Sequence, residues 1–224
     1  MSTKFVIKIN QLILGINHSK YLITNNNTVL CVEGFPRSGN TFFVDYINEV
    51  NGYGEFKISH HTHSFRNILL AAHLNIPSVV LIRDARDSIL SFMIHSNNSV
   101  SEVYKKYCDF YKRVNCINGP IAFFDFESII REPDACIEAI NTKFDMTLTS
   151  SDDQINVIEK VKLRVTNRAK KQRTNEEYIR TVGAPNKERE KIKKRLAPIV
   201  DDYLSSTNMH ISLINEIMER KVTI

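Results

Sequence analysis

Short apolar runs alternate along the chain with longer stretches in which apolar residues recur every three or four positions. The first run, TVLCVEGF (28–35), is rich in β-branched residues and stops at Gly34, the pattern of a strand buried on both faces. Phe42, Phe43, Tyr46, Ile47 and Val50 then recur at helical spacing until NGYG (51–54) ends them. EFKIS (55–59) reads as a second strand, with Phe65, Ile68, Leu69 and Ala72 marking one face of the helix after it. SVVLI (78–82) reads as a third, and Asp84 is suited to cap the helix of Ile89, Leu90, Phe92 and Met93, with Asp87 in its first turn. Val100, Val103, Tyr104, Tyr107, Phe110, Tyr111 and Val114 predict a further helix whose aromatics are core rather than a ligand box. IAFFDFE (121–127) is a fourth strand, and Pro133 opens a helix carrying Ile137, Ile140 and Phe144.

This alternation predicts an α/β fold with three layers, a parallel sheet with flanking helices, right-handed crossovers and a ligand at the carboxyl ends of the strands. Outside the core, residues 4–15 suggest an amphipathic helix packed on the domain. Residues 157–195 are dense in Lys and Arg, broken by Gly183 and Pro185, with helix expected again from Lys187 onward.

At 224 residues the expectation is one domain over 1–224, with a nucleotide-binding core at 28–145 and a basic helical region at 157–224. The formal charge of +5 points to anionic partners. Nucleic acid is not expected, because the chain has no tryptophan and its basic region few aromatics for base stacking. Lys8, Asn10 and Gln11 interrupt the N-terminal apolar stretch, so stable membrane insertion is not expected, and a cytoplasmic location is. Cys31, Cys108, Cys116 and Cys136 show no paired or zinc-like spacing and read as buried free thiols. A homodimer is compatible with the sequence, which leaves oligomeric state open.

The first strand runs into GFPRSGNT (34–41), whose glycines stand five apart as in the phosphate loop GxxxxGK[ST]. Backbone amides of such a turn bind an anion whatever the side chains, whereas the lysine serves the β and γ phosphates of a nucleoside triphosphate. Asn40 occupies the lysine place, which disfavours a triphosphate, and Arg37 offers a planar fork to an oxyanion. A second element, VVLIRDARDSILS, sets Arg83 at the end of the third strand and Ser91 eight residues on. A charge at a strand end needs compensation, either from Asp84 and Asp87 or from a ligand.

The two elements together resemble the signatures of the sulfotransferases that use 3′-phosphoadenosine 5′-phosphosulfate (PAPS). PRSGNTF (36–42) is similar to the family's PKSGTTW-like loop, with Arg37 for the lysine, Asn40 for a threonine and Phe42 for the tryptophan. RDARDSILS (83–91) is similar to its RNPxDxxxS-like element, and FDFESIIREP (124–133) to the strand ending YEDL with its helix. The resemblance spans roughly residues 29–145, with the motifs in family order. It implies a P-loop NTPase-like sulfotransferase fold and PAPS as co-substrate. Ser38, Gly39, Asn40 and Thr41 would meet the 5′-phosphate, Arg83 and Ser91 the 3′-phosphate, and Arg37 the bridging oxygen. Phe42 belongs to the same loop. No metal is expected, and the acceptor would be a small molecule or carbohydrate bearing a hydroxyl or amine.

SHHTHS (59–64) brings three histidines to the end of the second strand, where an imidazole can act as general base near neutral pH. Against the family's KTHLP-like segment, HTHSF (61–65) sets His63 on the catalytic histidine, while the distance to Arg83 favours His61. His60 is expected to point away from His61. A zinc site at HxH is the alternative, without a cysteine or carboxylate nearby in sequence. IRTVGAPNKER (179–189) loosely resembles the family's RKGxxGDW-like loop and marks Arg180 as a 3′-phosphate contact. Two other functions remain to be weighed: a P-loop small-molecule kinase with Asp84 on magnesium, and a non-catalytic nucleotide- or polyanion-binding module.

Overall fold

The computed structural model describes residues 3–172, 174, 177–178, 187–207, 216–217 and 219–222. Its centre is a parallel sheet of β1 (Leu30–Gly34), β2 (Ile58–His60), β3 (Ser78–Ile82) and β4 (Ile121–Asp125), in the order β2-β1-β3-β4. The third strand matches its predicted bounds, whereas the second is shifted to Ile58–His60, taking in the first histidine of the cluster.

Helices cover both faces, as the two-residue alternation of buried side chains requires. Val80, Ile82, Ile121 and Phe123 face α3 (Phe65–His73), α4 (Ala85–Ser96), α5 (Val100–Asn115) and α9 (Lys187–Ser206). Leu30, Val32, Val79, Leu81, Ala122 and Phe124 face α2 (Asn40–Asn51), α7 (Pro133–Phe144) and α8 (Gln154–Gln172). The short α6 (Phe126–Arg131) follows β4 directly. Helix starts follow the side chains: Asp84 Oδ1 accepts from the Asp87 amide at 3.0 Å, and Ser99 with Glu102 forms a capping box on α5.

The N-terminal helix α1 (Thr3–Asn17) packs on the domain as expected, with Leu14 meeting Leu70 of α3 in a small satellite core. Arginines of the basic region are in part structural. Arg164 pairs with Glu49 at 2.6 Å and Arg168 with Asp45 at 3.2 Å, holding α8 on α2. Among the described residues no helix is long and apolar enough to cross a membrane. The cysteines are free thiols; three are buried, but Cys116 is exposed because it follows the last turn of α5, off that helix's apolar face.

The contact that positions the site lies between β1 and β3. Gly34 pairs with Leu81, and a Cβ at Gly34 would stand 2.7 Å from the Leu81 carbonyl oxygen. Gly34→Ala should therefore force the strands apart and cost about 2 kcal/mol or more, read as a lower urea midpoint. Gly15→Ala is the contrast: nothing lies within 4 Å of its Cβ, and in the interior of α1 it should add about 0.5–1 kcal/mol.

Candidate active site

Beyond Gly34 the chain makes a tight turn into α2, with Arg37 at φ 76° and Gly39 at φ 91°. Left-handed residues inside a turn swing successive amides toward a common centre, a nest for an anion at the helix N-terminus. The fit is close on the far side as well, since a Cβ on Gly39 would stand 2.6 Å from Ile129 Cδ1 of α6. Ser38 and Asn40 are buried, and Asn40 Nδ2 turns back to the Phe35 carbonyl at 3.5 Å. Phe42 is packed in the core near Tyr46, with ring centroids 6.1 Å apart.

Arg83 leaves β3 beside this turn and faces it. Its Nη1 donates to the Arg37 carbonyl at 3.0 Å, its Nη2 pairs with Asp87 at 3.4 Å, and its guanidinium lies 4.2 Å from the Phe126 ring centroid. Its Nε is buried without a hydrogen-bond acceptor. The two elements are not separate pockets, because Arg37 Nε donates to Ser91 Oγ at 3.1 Å. That contact ties Arg37 to the second element.

A third arginine reaches the same serine. Arg189, in the first turn of α9 and 2 % exposed, donates from Nη2 to Ser91 Oγ at 3.0 Å and to its carbonyl at 3.2 Å. Burial, with the Arg83 charge beside it, pushes its pKa down from the usual guanidinium value, against the pull of Glu190. Ser91 Oγ thus accepts two hydrogen bonds and keeps its own proton to donate. Sequence reasoning missed Arg189, although it ends the quoted stretch 179–189; Arg180 lies outside the described residues.

The histidines follow β2 and break its alternation. His61 and His63 take left-handed backbone angles, φ 58° and 48°, a region that histidine enters more often than most side chains. Consequently His60 does not point away from His61. Their rings lie 4.5 Å apart, and their Nδ1 atoms are hydrogen-bonded to each other, so one carries the proton and the other accepts it. His61 Nε2 is bonded to Thr41 Oγ1 at 2.8 Å, which occupies both of its nitrogens. Burial, then the neighbouring imidazoles, lowers the pKa of His60 to about 4 and of His61 to about 3.

His63 is arranged differently. Its Nδ1 meets the Gly34 carbonyl at 2.9 Å; a carbonyl only accepts, so Nδ1 bears the proton and Nε2 the lone pair. His63 also lines a cavity of about 260 Å³, walled by Phe35, Phe65, Phe92 and Phe110, with Lys106, Asp109 and Arg113 contributing charge. A hollow of about 290 Å³ beside Asp125, Arg131 and Lys221 contains none of these candidate residues.

Among the described residues no group of three or more His, Cys, Asp or Glu side chains is arranged to hold a metal ion. Asp84, the candidate magnesium ligand of the kinase reading, is exposed and engaged as the cap of α4.

No protein-family model matches the sequence, and no curated protein matches it. In structure the chain is similar to mouse sulfotransferase SULT7A1 complexed with PAP, at 10 % identity and TM-score 0.52, over 92 % of this chain and 95 % of that one. The α/β architecture, an all-parallel four-stranded sheet between helices, matches the sulfotransferase fold.

Proposed function

We propose that this protein is a sulfotransferase that moves the sulfuryl group of PAPS to a hydroxyl or amine acceptor. The observation that carries the reading is the convergence of Arg37, Arg83 and Arg189 on Ser91 and the turn before it. Three guanidinium groups this close repel one another, with Asp87 at 3.4 Å from Arg83 and Glu190 acting on Arg189 as partial counter-charges. A dianionic phosphate bound among them would relieve the repulsion and supply the acceptor that Arg83 Nε lacks. In this reading the 3′-phosphate sits with Arg37, Arg83, Ser91 and Arg189, and the 5′ end with the amides of Gly39 to Thr41, the Ser38 amide being engaged by the Phe35 carbonyl at 3.2 Å. Asn40 in place of lysine suits a ligand with no γ-phosphate.

The acceptor enters the phenylalanine-walled cavity, and His63 Nε2 removes its proton. The acceptor oxygen or nitrogen bonds to sulfur as the bond from sulfur to the 5′-phosphate oxygen breaks. The charge arriving on that oxygen is held by the loop amides and the α2 dipole. His61 serves less well as base, because both nitrogens are engaged and its pKa of about 3 makes it a weak proton acceptor. Its contact with Thr41 suits it to aligning that hydroxyl instead.

Three outcomes are expected. At about 100 times its dissociation constant, 3′,5′-adenosine bisphosphate should stabilise the protein by about 2.7 kcal/mol, an upward shift in Tm of several degrees. Arg83→Ala and Arg189→Ala should each abolish most of that shift; stabilisation by Mg-ATP alone or heparin alone would contradict the reading. His63→Asn, chosen because asparagine tolerates the left-handed backbone, should lower turnover about 10²–10⁴-fold while nucleotide affinity stays within about twofold.

The third outcome concerns stability and pH. The unfolded chain protonates His60 and His61 near 6.5, the folded chain only near 4 and 3. Between those limits the unfolded state binds more protons, so stability falls as pH drops from 6.5. Urea denaturation should give a value lower by about 4 kcal/mol at pH 5 than at pH 7, about 2 from each histidine, and His61→Gln should shrink the difference.

A further inference from the structure

Glu33 is the one charged residue of β1 and has no exposed surface. A carboxylate in that place is costly unless its oxygens are matched, and they are matched almost wholly by the histidine segment. Oε1 accepts from the Thr62 amide at 3.0 Å, the Thr62 hydroxyl at 2.7 Å and Asn67 Nδ2 at 2.9 Å. Oε2 accepts from the His63 amide at 2.9 Å. Every one of these partners is a donor, the complement of an acceptor-only group. The two successive amides, flanked by the left-handed His61 and His63, form a nest around the carboxylate.

We infer that Glu33 is a positioning residue for the base. It holds the backbone of Thr62 and His63 against the end of β1, and the next residue, Gly34, holds the His63 ring through its carbonyl. Two consecutive residues of one strand thereby set the base in register with the turn that begins at Gly34. This role rests on the sulfotransferase reading for its catalytic consequence, but the geometry it maintains is a property of the folded chain. The left-handed residues His61 and His63 bring these two amides to the carboxylate.

Glu33→Gln tests the idea. The amide can keep an oxygen toward Thr62 and Asn67 but turns its NH₂ toward the His63 amide, donor against donor. Turnover with PAPS should fall about 10²-fold, with affinity for 3′,5′-adenosine bisphosphate within about threefold of wild type. Thr62→Val removes a single donor, keeps the carboxylate, and should lower turnover about fivefold in the same pattern. Unchanged turnover in a folded Glu33→Gln protein would overturn the inference, as would equal losses of turnover and nucleotide affinity, which would mean general damage to the fold.

Nitrogen-15 NMR of the histidine side chains gives a readout that needs no activity. The wild type should show His63 as a single Nδ1–H tautomer, assigned by its absence in His63→Asn, and Glu33→Gln should show a tautomer mixture. If the wild type transfers no sulfate from PAPS to any acceptor, the functional reading fails while this measurement still decides whether Glu33 fixes the ring. An unaltered tautomer in Glu33→Gln would overturn the positioning role.

Discussion

The closeness of β1 and β3 at Gly34 is the constraint from which the site follows. Side chains are excluded there by the Leu81 carbonyl 2.7 Å from the place a Cβ would occupy. The two strands consequently deliver their next residues side by side: the glycine turn from one, Arg83 from the other. Their adjacency is a backbone property of the parallel pairing. Ser91, two turns into α4, then becomes the point at which the turn, the third strand's helix and the C-terminal helix α9 all meet.

Three cationic side chains meet there, with Asp87 and Glu190 beside them. Arg83 is supported by the face of Phe126, and Arg189 is buried beneath α4. Other basic residues are handled in the ordinary way: Arg164 and Arg168 pair with Glu49 and Asp45, and Arg86 with Asp201. The contrast separates arginines that fasten helices together from arginines gathered around Ser91 and the turn. The sequence presents both kinds as one diffuse basic character.

The strands and the turn after β1 were legible because buried parallel strands are continuous apolar runs and because Gly39 takes a left-handed backbone. Three features were not. Arg189 precedes Leu196 and Val200 by seven and eleven residues, which sets it on the apolar stripe of α9, so a charge at a core position was the available signal. His60 was expected to diverge from His61 because strands alternate, but the strand ends there and His61 turns left-handed. Glu33 was read as part of an apolar run; a lone acid at the end of a buried strand asks for donors that only the folded chain reveals.

The sheet's two outer strands are each met by a neighbouring segment. The His60 amide donates to the Leu22 carbonyl at 3.1 Å beside β2, and the Val222 amide to the Phe123 carbonyl at 2.9 Å beside β4, where Lys221 forms a parallel bridge. A four-stranded parallel sheet with bare flanks would be a template for another molecule's strand, and such flanks invite aggregation. The backbone bonds from Leu22 and Val222 leave fewer bare groups at each flank for another molecule's strand.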